Sequence, residues 1–510
     1  MRDGLDKGDR RSLVRLAVAA CALGVAASIG ACSLAPRYSV PDTPKVDHFV
    51  EAGNWMPARP ADGVSRGNWW QAFDEPTLDA LEQRLSQSNP DLQAAVARFA
   101  EARAEALNAR SNEFPTLDAD ASATRERSSA NAPLATLLGN NKGSTYNDLV
   151  TNLSFAWQVD LFGRLRNAAA AARAQAQASA ADVAAVNLSL RAELATDYFA
   201  LRGADTTTKL LEDAVKDYDR AYEVTHNRYG QGISAATDVE QADTLRQDAR
   251  AQLAAVRLQR AQLAHAIAVL IGEPPSLFSI APGPLAGSPP AFDAGSASTL
   301  LERRPDVASA ERAVAAANAQ IGVARAAWFP VFSLSAAAGL ESTAASNWLN
   351  APSRFWSVGP TGSLPLLDAG ARLAGNRQAW GAYDEAVANY RKTTLVAYQE
   401  VEDSLVSLHR VAEERAGDEA AARSASQSAY HSDQRYDAGV ADYLEVATTH
   451  TAALQAEVAA ISARVAQFQA TVALVQATGG GWTNEAATAR QGHLPAVTYA
   501  SRGDSLPSTR

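Results

Sequence analysis

One long unit occurs twice in this chain, nearly in register from end to end. Pro90-Asp91-Leu92 opens a stretch that reaches Phe114-Pro115, and Pro305-Asp306-Val307 opens a second that reaches Phe329-Pro330, at an offset of 215 residues. Later landmarks recur at an offset of 207: Gly163 with Gly370, Arg228-Tyr229 with Arg435-Tyr436, Gly232 with Gly439, and Gly272 with Gly479. The eight missing residues fall between Phe329 and Gly370, where a loop is shortened. Solenoid repeats run about 20–50 residues, so a unit of this length is something else. It is a tandem duplication, and it predicts a fold with internal two-fold pseudosymmetry, a plan common among membrane channels and transporters.

Prolines avoid two windows, one between Pro133 and Pro274 and one between Pro365 and Pro495. Proline costs about 3 kcal/mol in a helix interior, so these gaps mark where long helices fit. Both windows are rich in the strong helix formers Ala, Gln, Arg, Glu and Leu. They predict helices over 163–230 and 236–272 in the first copy, and over 370–437 and 443–478 in the second. The longer helix would run about 100 Å at 1.5 Å per residue, a length suited to coiled-coil-like hairpins. Gly230-Gln231-Gly232 and Gly439 supply the turns between the arms. Long helices alone are equally compatible with a filament or rod.

The regions ahead of each long helix have a period of two. Leu149, Thr151, Leu153, Phe155, Trp157 and Val159 alternate with Val150, Asn152, Ser154, Ala156, Gln158 and Asp160. Leu117, Ala119, Ala121 and Ala123 alternate with Asp118, Asp120, Ser122 and Thr124. This is the pattern of strands with one wet face. Strands are therefore expected at about 114–128 and 147–160, and a weaker pair at about 329–341 and 354–367. Each copy then holds a hairpin, with loops near Asn131–Thr145 and Thr343–Arg354. Four strands cannot close a barrel, an open edge cannot face lipid, and membrane barrels have eight or more strands. If these strands span a bilayer, several chains must each contribute four, which makes the protein an obligate oligomer. Aromatics near the strand ends (Phe114, Trp157, Phe329, Trp348, Phe355, Trp356) suit interfacial girdles. A soluble β-sandwich remains the alternative.

At the N-terminus, Arg10, Arg11 and Arg15 precede a short apolar core from Leu16 to Ile29, and Ile29-Gly30-Ala31-Cys32 has the small-residue pattern of a cleavage site. A Cys directly after that site resembles a bacterial lipobox, which implies that Cys32 becomes the acylated N-terminus; an ordinary signal peptide with an incidental Cys is the alternative. Ser33 in the next position implies, by resemblance to bacterial lipoproteins, sorting to the outer membrane. The only other cysteine, Cys21, leaves with the signal, so the mature chain has no disulfide. The signal carries five basic and three acidic residues, so its removal takes the net charge from −10 to −12. That argues against nucleic-acid binding, which needs a basic footprint. No mature segment reads as an uninterrupted apolar run of spanning length, which excludes a transmembrane helix at this level. The chain thus divides into a signal peptide (1–31), a lipidated arm with Trp69-Trp70 (32–89), the first repeat (90–281), a proline-rich connector (282–304), the second repeat (305–482) and a patternless tail (483–510).

Several motifs together resemble the outer membrane factor family of TolC-like channels, in its OprM/NodT-type efflux lipoprotein branch. They are Cys32-Ser-Leu-Ala-Pro36, Asn68-Trp69-Trp70-Gln-Ala-Phe-Asp74, Asn89-Pro90-Asp91-Leu92 and Arg303-Arg304-Pro305-Asp306-Val307. Val159-Asp160-Leu161-Phe162-Gly163-Arg164, Leu367-Asp368-Ala369-Gly370, Arg435-Tyr436-Asp-Ala-Gly439 and Ala477-Thr-Gly-Gly-Gly-Trp482 complete the set. The resemblance spans 32 to 482. It implies a mainly α fold with a β-barrel part: a homotrimer whose 12-stranded barrel in the outer membrane continues into a 12-helix periplasmic α-barrel. It implies the exit duct of a tripartite pump, with a periplasmic adaptor and an inner-membrane transporter of the resistance-nodulation-division (RND) type as partners, exporting small toxic compounds. A duct for type I protein secretion and a non-transporting trimeric structural protein are the competing readings.

No catalytic constellation is present. The histidines at 48, 226, 265, 409, 431, 450 and 493 lack zinc spacing, and there is no GxSxG, P-loop or GxGxxG motif. No cofactor is expected beyond the covalent lipid on Cys32. The candidate site is the hairpin tip. Asp238 and Glu445 correspond in the repeat, each six residues after a Gly. The resemblance implies that Glu445, with Asp442, belongs to an acidic ring narrowing the periplasmic entrance; the acidic residue the family often has three positions further on is Thr448 here. It also implies a hydrogen bond between Tyr436 and Asp238 that holds the entrance shut. Asp442 and Glu445 equally have the spacing of an N-cap and its third helical residue, where acids are favourable for local reasons.

Overall fold

The computed structural model describes residues 33–44, 46, 49–50, 66–129, 143–291 and 303–480. The signal segment, Cys32 and the tail 483–510 lie outside these residues. In chain order the helices and strands are α1 (Pro76–Ser88), α2 (Pro90–Ser111), β1 (Thr116–Arg127), β2 (Thr145–Val159), α3 (Arg164–Gly230), α4 (Ala236–Leu270), α5 (Pro305–Ala326), β3 (Val331–Ser342), β4 (Arg354–Ser363), α6 (Ala371–Asp437) and α7 (Tyr443–Ala477). Both α3 and α6 have 67 residues, and both α4 and α7 have 35. The stretches opening at Pro90 and Pro305 are helices of 22 residues each, which suits a proline at the first helical position.

The chain divides into two compact units. One comprises Met1–Pro41, Ala100–Ala178 and Glu311–Asn389, and it contains an antiparallel sheet of order β1-β2-β3-β4. Its pairing gathers the apolar alternation of every strand onto one face. Leu117 lies opposite Phe155, Phe155 opposite Ala336, and Ala336 opposite Val358. Asp120, Asn152 and Gly339 fall on the other face. Directly opposed residues in an antiparallel pair share a side, so the sheet has a mainly apolar and a mainly polar surface, with Phe355 opposite Gly339 as an exception on the polar one. The sandwich alternative has no second sheet among the described residues. β4 stops at Ser363, short of the expected 367, because Pro365 cannot donate to a ladder.

The two repeat offsets also carry the register. Thr116 is opposite Ala156 in the first hairpin; adding 215 and 207 gives Val331 opposite Ser363, the pair found in the second. Residues 33–38 are strapped against the same unit. Ser33 Oγ donates to Asn167 Oδ1 at 2.8 Å, Asn318 Nδ2 donates to Pro36 O at 2.9 Å, and Tyr38 hydrogen-bonds to Glu311.

The other unit comprises Asp42–Phe99, Ser179–Ala310 and Tyr390–Arg510. Its core is aromatic: Phe199 stacks on Phe468 with centroids 4.5 Å apart, and Phe73 lies 4.9 Å from Phe199. Trp69 and Trp70 are buried here with Leu78, Leu81 and Leu85 of α1. The end of the arm is thus part of the core, which its tryptophans required energetically. The duplication recurs at the helix ends: Asn89 Nδ2 donates to Leu270 O at 2.8 Å, and Arg304 Nη1 donates to Ala477 O at 3.0 Å. A different side chain satisfies the same orphan carbonyl in each copy.

α7 is long and, by mean composition, apolar enough to cross a membrane, although polar residues such as Glu457 and Arg464 interrupt its apolar run. Its apolar character comes from Ala and Val that pack against α4; Val446, Ala447 and Leu454 are buried.

Candidate functional site

The tip is where α3 turns into α4 and α6 turns into α7, and the two turns are built alike. Gly232 has φ of 73° and Gly439 has φ of 72°. Ile233 N–H donates to Arg228 O, and Val440 N–H donates to Arg435 O, both at 2.9 Å. Gly232 N–H donates to Tyr229 O at 2.8 Å, as Gly439 N–H does to Tyr436 O at 3.0 Å. Each hairpin therefore presents an Arg-Tyr pair at the end of its long helix.

The acids sit at the opposite helix starts. Asp442 is the N-cap of α7, and its carboxylate accepts from Glu445 N–H at 3.0 Å. Asp238 turns back to accept from Ala235 N–H at 3.2 Å. Both arrangements satisfy orphan donors at a positive helix end. The Glu445 carboxylate is gripped by Arg435, with Nε to Oε1 at 3.0 Å and Nη2 to Oε2 at 3.4 Å. Both side chains are substantially exposed, so the pair itself is worth at most about 1 kcal/mol.

Tyr436 does not bond to Asp238. Its hydroxyl is buried without a hydrogen-bond partner, and the Asp238 carboxylate is committed to its own helix start. Tyr436 is held by its ring instead: it meets Tyr443 edge-on at 5.6 Å, and the Arg228 guanidinium lies 5.0 Å from its centroid. Tyr443 is buried with Val446, Ala447 and Ala242. Burial first, then the nearby Tyr436, Tyr218, Asp433 and Asp238, push its phenol up to about 12, so it stays neutral. Below the tip, His450 pairs with Asp433 at 2.9 Å and Ser432 with Thr449 at 2.6 Å. The structure thus brings Asp442 and Glu445 together and keeps Asp238 and Tyr436 unbonded. Sequence reading passed over Arg228, Arg435 and Tyr443; the duplicated Arg-Tyr pair was a landmark with no role attached to it.

No group of three or more His, Cys, Asp or Glu that could hold a metal exists among the described residues. What the tip offers is a set of carboxylates, guanidinium groups and aromatic rings at the turns of two hairpins.

Comparison with known proteins defines the class. The outer membrane efflux protein family matches residues 81–273 and 297–480. The antibiotic efflux pump outer membrane protein ArpC of Pseudomonas putida is 31% identical over 488 residues, covering 94% of this chain and 98% of ArpC. The toluene efflux pump outer membrane protein TtgC of Pseudomonas putida matches to the same extent. Among solved structures, the outer-membrane channel OprN superposes with a TM-score of 0.82 at 30% identity, covering 88% of this chain and all of OprN.

This chain belongs to the outer membrane efflux protein family. It is an efflux component of the outer membrane of a Gram-negative bacterium, with a large periplasmic portion. The family is one of channel-forming proteins, not a class of enzymes.

Proposed function

We propose that this protein is the outer-membrane exit channel of a tripartite efflux pump, passively conducting small toxic organic compounds. The observation that carries the reading is the sheet: four strands with one apolar face and two unpaired edges, β1 and β4. Leu117, Trp356 and Val358 lie largely exposed on that apolar face in the single chain. Such a sheet is stable in lipid only when its edges are closed by further strands. Three chains contributing four strands each give a 12-stranded barrel, and their four long helices each give a 12-helix tunnel. An inner-membrane transporter of the RND type and a periplasmic adaptor would complete the pump. Relatives named for antibiotic and toluene efflux support small organic cargo over secreted protein.

An acyl group on Cys32 is part of this proposal. Its neighbour Ser33 is fastened to Asn167 in the first turn of α3, a few residues beyond the end of β2, so the lipid would enter the bilayer beside the barrel rim. At the tip, three copies of Asp442 and Glu445 set six carboxylates around one axis, a ring that would capture cations, with Arg435 offsetting part of the charge.

The test is single-channel conductance of the purified protein in planar bilayers. Small cation-selective steps are expected, with divalent-cation block that weakens in Glu445→Gln. Absence of conductance in wild type and in Glu445→Gln alike would favour a structural stalk over a channel.

A further inference from the structure

Intra-chain contacts between the two copies forecast contacts between chains. In a closed ring of duplicated chains, the first copy meets the second within a chain, and the second copy meets the first copy of the next chain. The pseudosymmetry is tight enough to use in this way: the offsets reproduce the strand register, the helix-end carbonyl contacts and the tip turns. The Arg228 guanidinium lies over the Tyr436 ring within one chain. Shifting each partner to its counterpart replaces Arg228 by Arg435 and Tyr436 by Tyr229, and both residue types are retained.

We propose that Arg435 of each chain stacks on Tyr229 of the next chain, a latch between protomers that matches the Arg228–Tyr436 contact inside each protomer. The inference rests on the trimeric reading above. Three observations support it. Tyr229 is half exposed at the end of α3, whereas the corresponding Tyr436 is packed against Tyr443 and Arg228. The Arg435 side chain is also half exposed, and its grip on Glu445 occupies the edge of the guanidinium, leaving a face for a ring. The two tip turns have the same φ and hydrogen bonds, so the Arg-Tyr pair is presented alike by each hairpin. The six stacks would alternate around the entrance. Only the three between chains use an arginine that also pairs with Glu445 of its own chain, so these stacks sit beside the acidic ring, while the stacks within a chain do not.

The experiment is thiol crosslinking in the full-length protein with a short bifunctional reagent. Tyr229→Cys with Arg435→Cys is expected to give dimers and trimers on a denaturing gel. Arg228→Cys with Tyr436→Cys is expected to crosslink within the chain and leave the monomer band. Unsubstituted protein and each single variant control for the native cysteines. A native trimer whose 229/435 pair stays monomeric overturns the latch, as does inter-chain crosslinking by the 228/436 pair. A native particle of one chain's mass instead fails the trimeric reading itself. In bilayers, Tyr229→Leu is expected to favour the open state about three-fold per lost stack, and Tyr229→Phe, which keeps the ring, to match wild type. Equal conductance of Tyr229→Leu and wild type counts against the latch.

Discussion

Glu82 lies on α1 inside the aromatic core, fully buried, with neither carboxyl oxygen hydrogen-bonded. Arg191 is 3.9 Å away, but its guanidinium stacks over Trp70 at 4.2 Å and donates to Asn187. Burial outweighs the attraction of Arg191, with a smaller push from Asp79, and lifts the carboxyl from 4.5 to about 8, so it is protonated at neutral pH. Because the folded value is raised, the folded state holds the proton more tightly than the unfolded chain. The contribution is fully present below pH 4.5 and is lost as pH rises through 8. Glu82→Gln keeps the shape and removes the titration. It should match wild type at pH 5 and melt higher at pH 9, by up to about 5 kcal/mol of stability. Thermal unfolding at the two pH values decides the matter, and parallel pH profiles would exclude the buried proton. Nothing in the local sequence marks Glu82 as buried, since Glu in an amphipathic helix is ordinarily solvated. The tip acids were legible from the repeat register, but the contacts of Tyr436 were not, because its ring packs against Tyr443 and Arg228 of other helices and no local spacing encodes that packing.

At the scale of elements, α4 and α7 each end on a glycine against a neighbouring backbone. Gly272 has φ of 74° and faces Ser88 O, and Gly479 has φ of 85° and faces Arg303 O. A Cβ at either position would both strain the backbone and strike a carbonyl that cannot move cheaply. Gly287, with φ of 68°, has nothing within 4 Å. Gly287→Ala should therefore lose only the backbone preference, about 1 kcal/mol, while Gly272→Ala and Gly479→Ala should each lose more. Melting temperatures of the three variants separate the two effects; equal losses would mean the close approach carries no weight. The long helices were legible because proline-free windows and paired glycines bound them. The helices α2 and α5 lie in stretches recognised only as repeats, since their weakly amphipathic, Ala-rich sequences carry little periodic signal of their own.

For the whole molecule, the proposed barrel would close in a register that follows from the offsets. Within the chain Thr151 lies opposite Leu340, so Val358 of β4 should lie opposite Arg125 of β1 in the next chain. Val358→Cys with Arg125→Cys should oxidise into a covalent ladder, whereas Val358→Cys with Thr124→Cys, displaced to the other face, should not. The reverse pattern would mean a slipped barrel. What the sequence determined by itself was the duplication, the length and order of the hairpins, and the alternation in β1 and β2, because each is written in local residue spacing. What only the tertiary structure decided was that β2 pairs with β3, that the four strands turn most of their apolar residues to one side, that Trp69 and Trp70 are core, and that Tyr436 meets Arg228 rather than Asp238. These join residues far apart in the chain, and their outcome is set by competition for packing space and hydrogen-bond partners that no local spacing encodes.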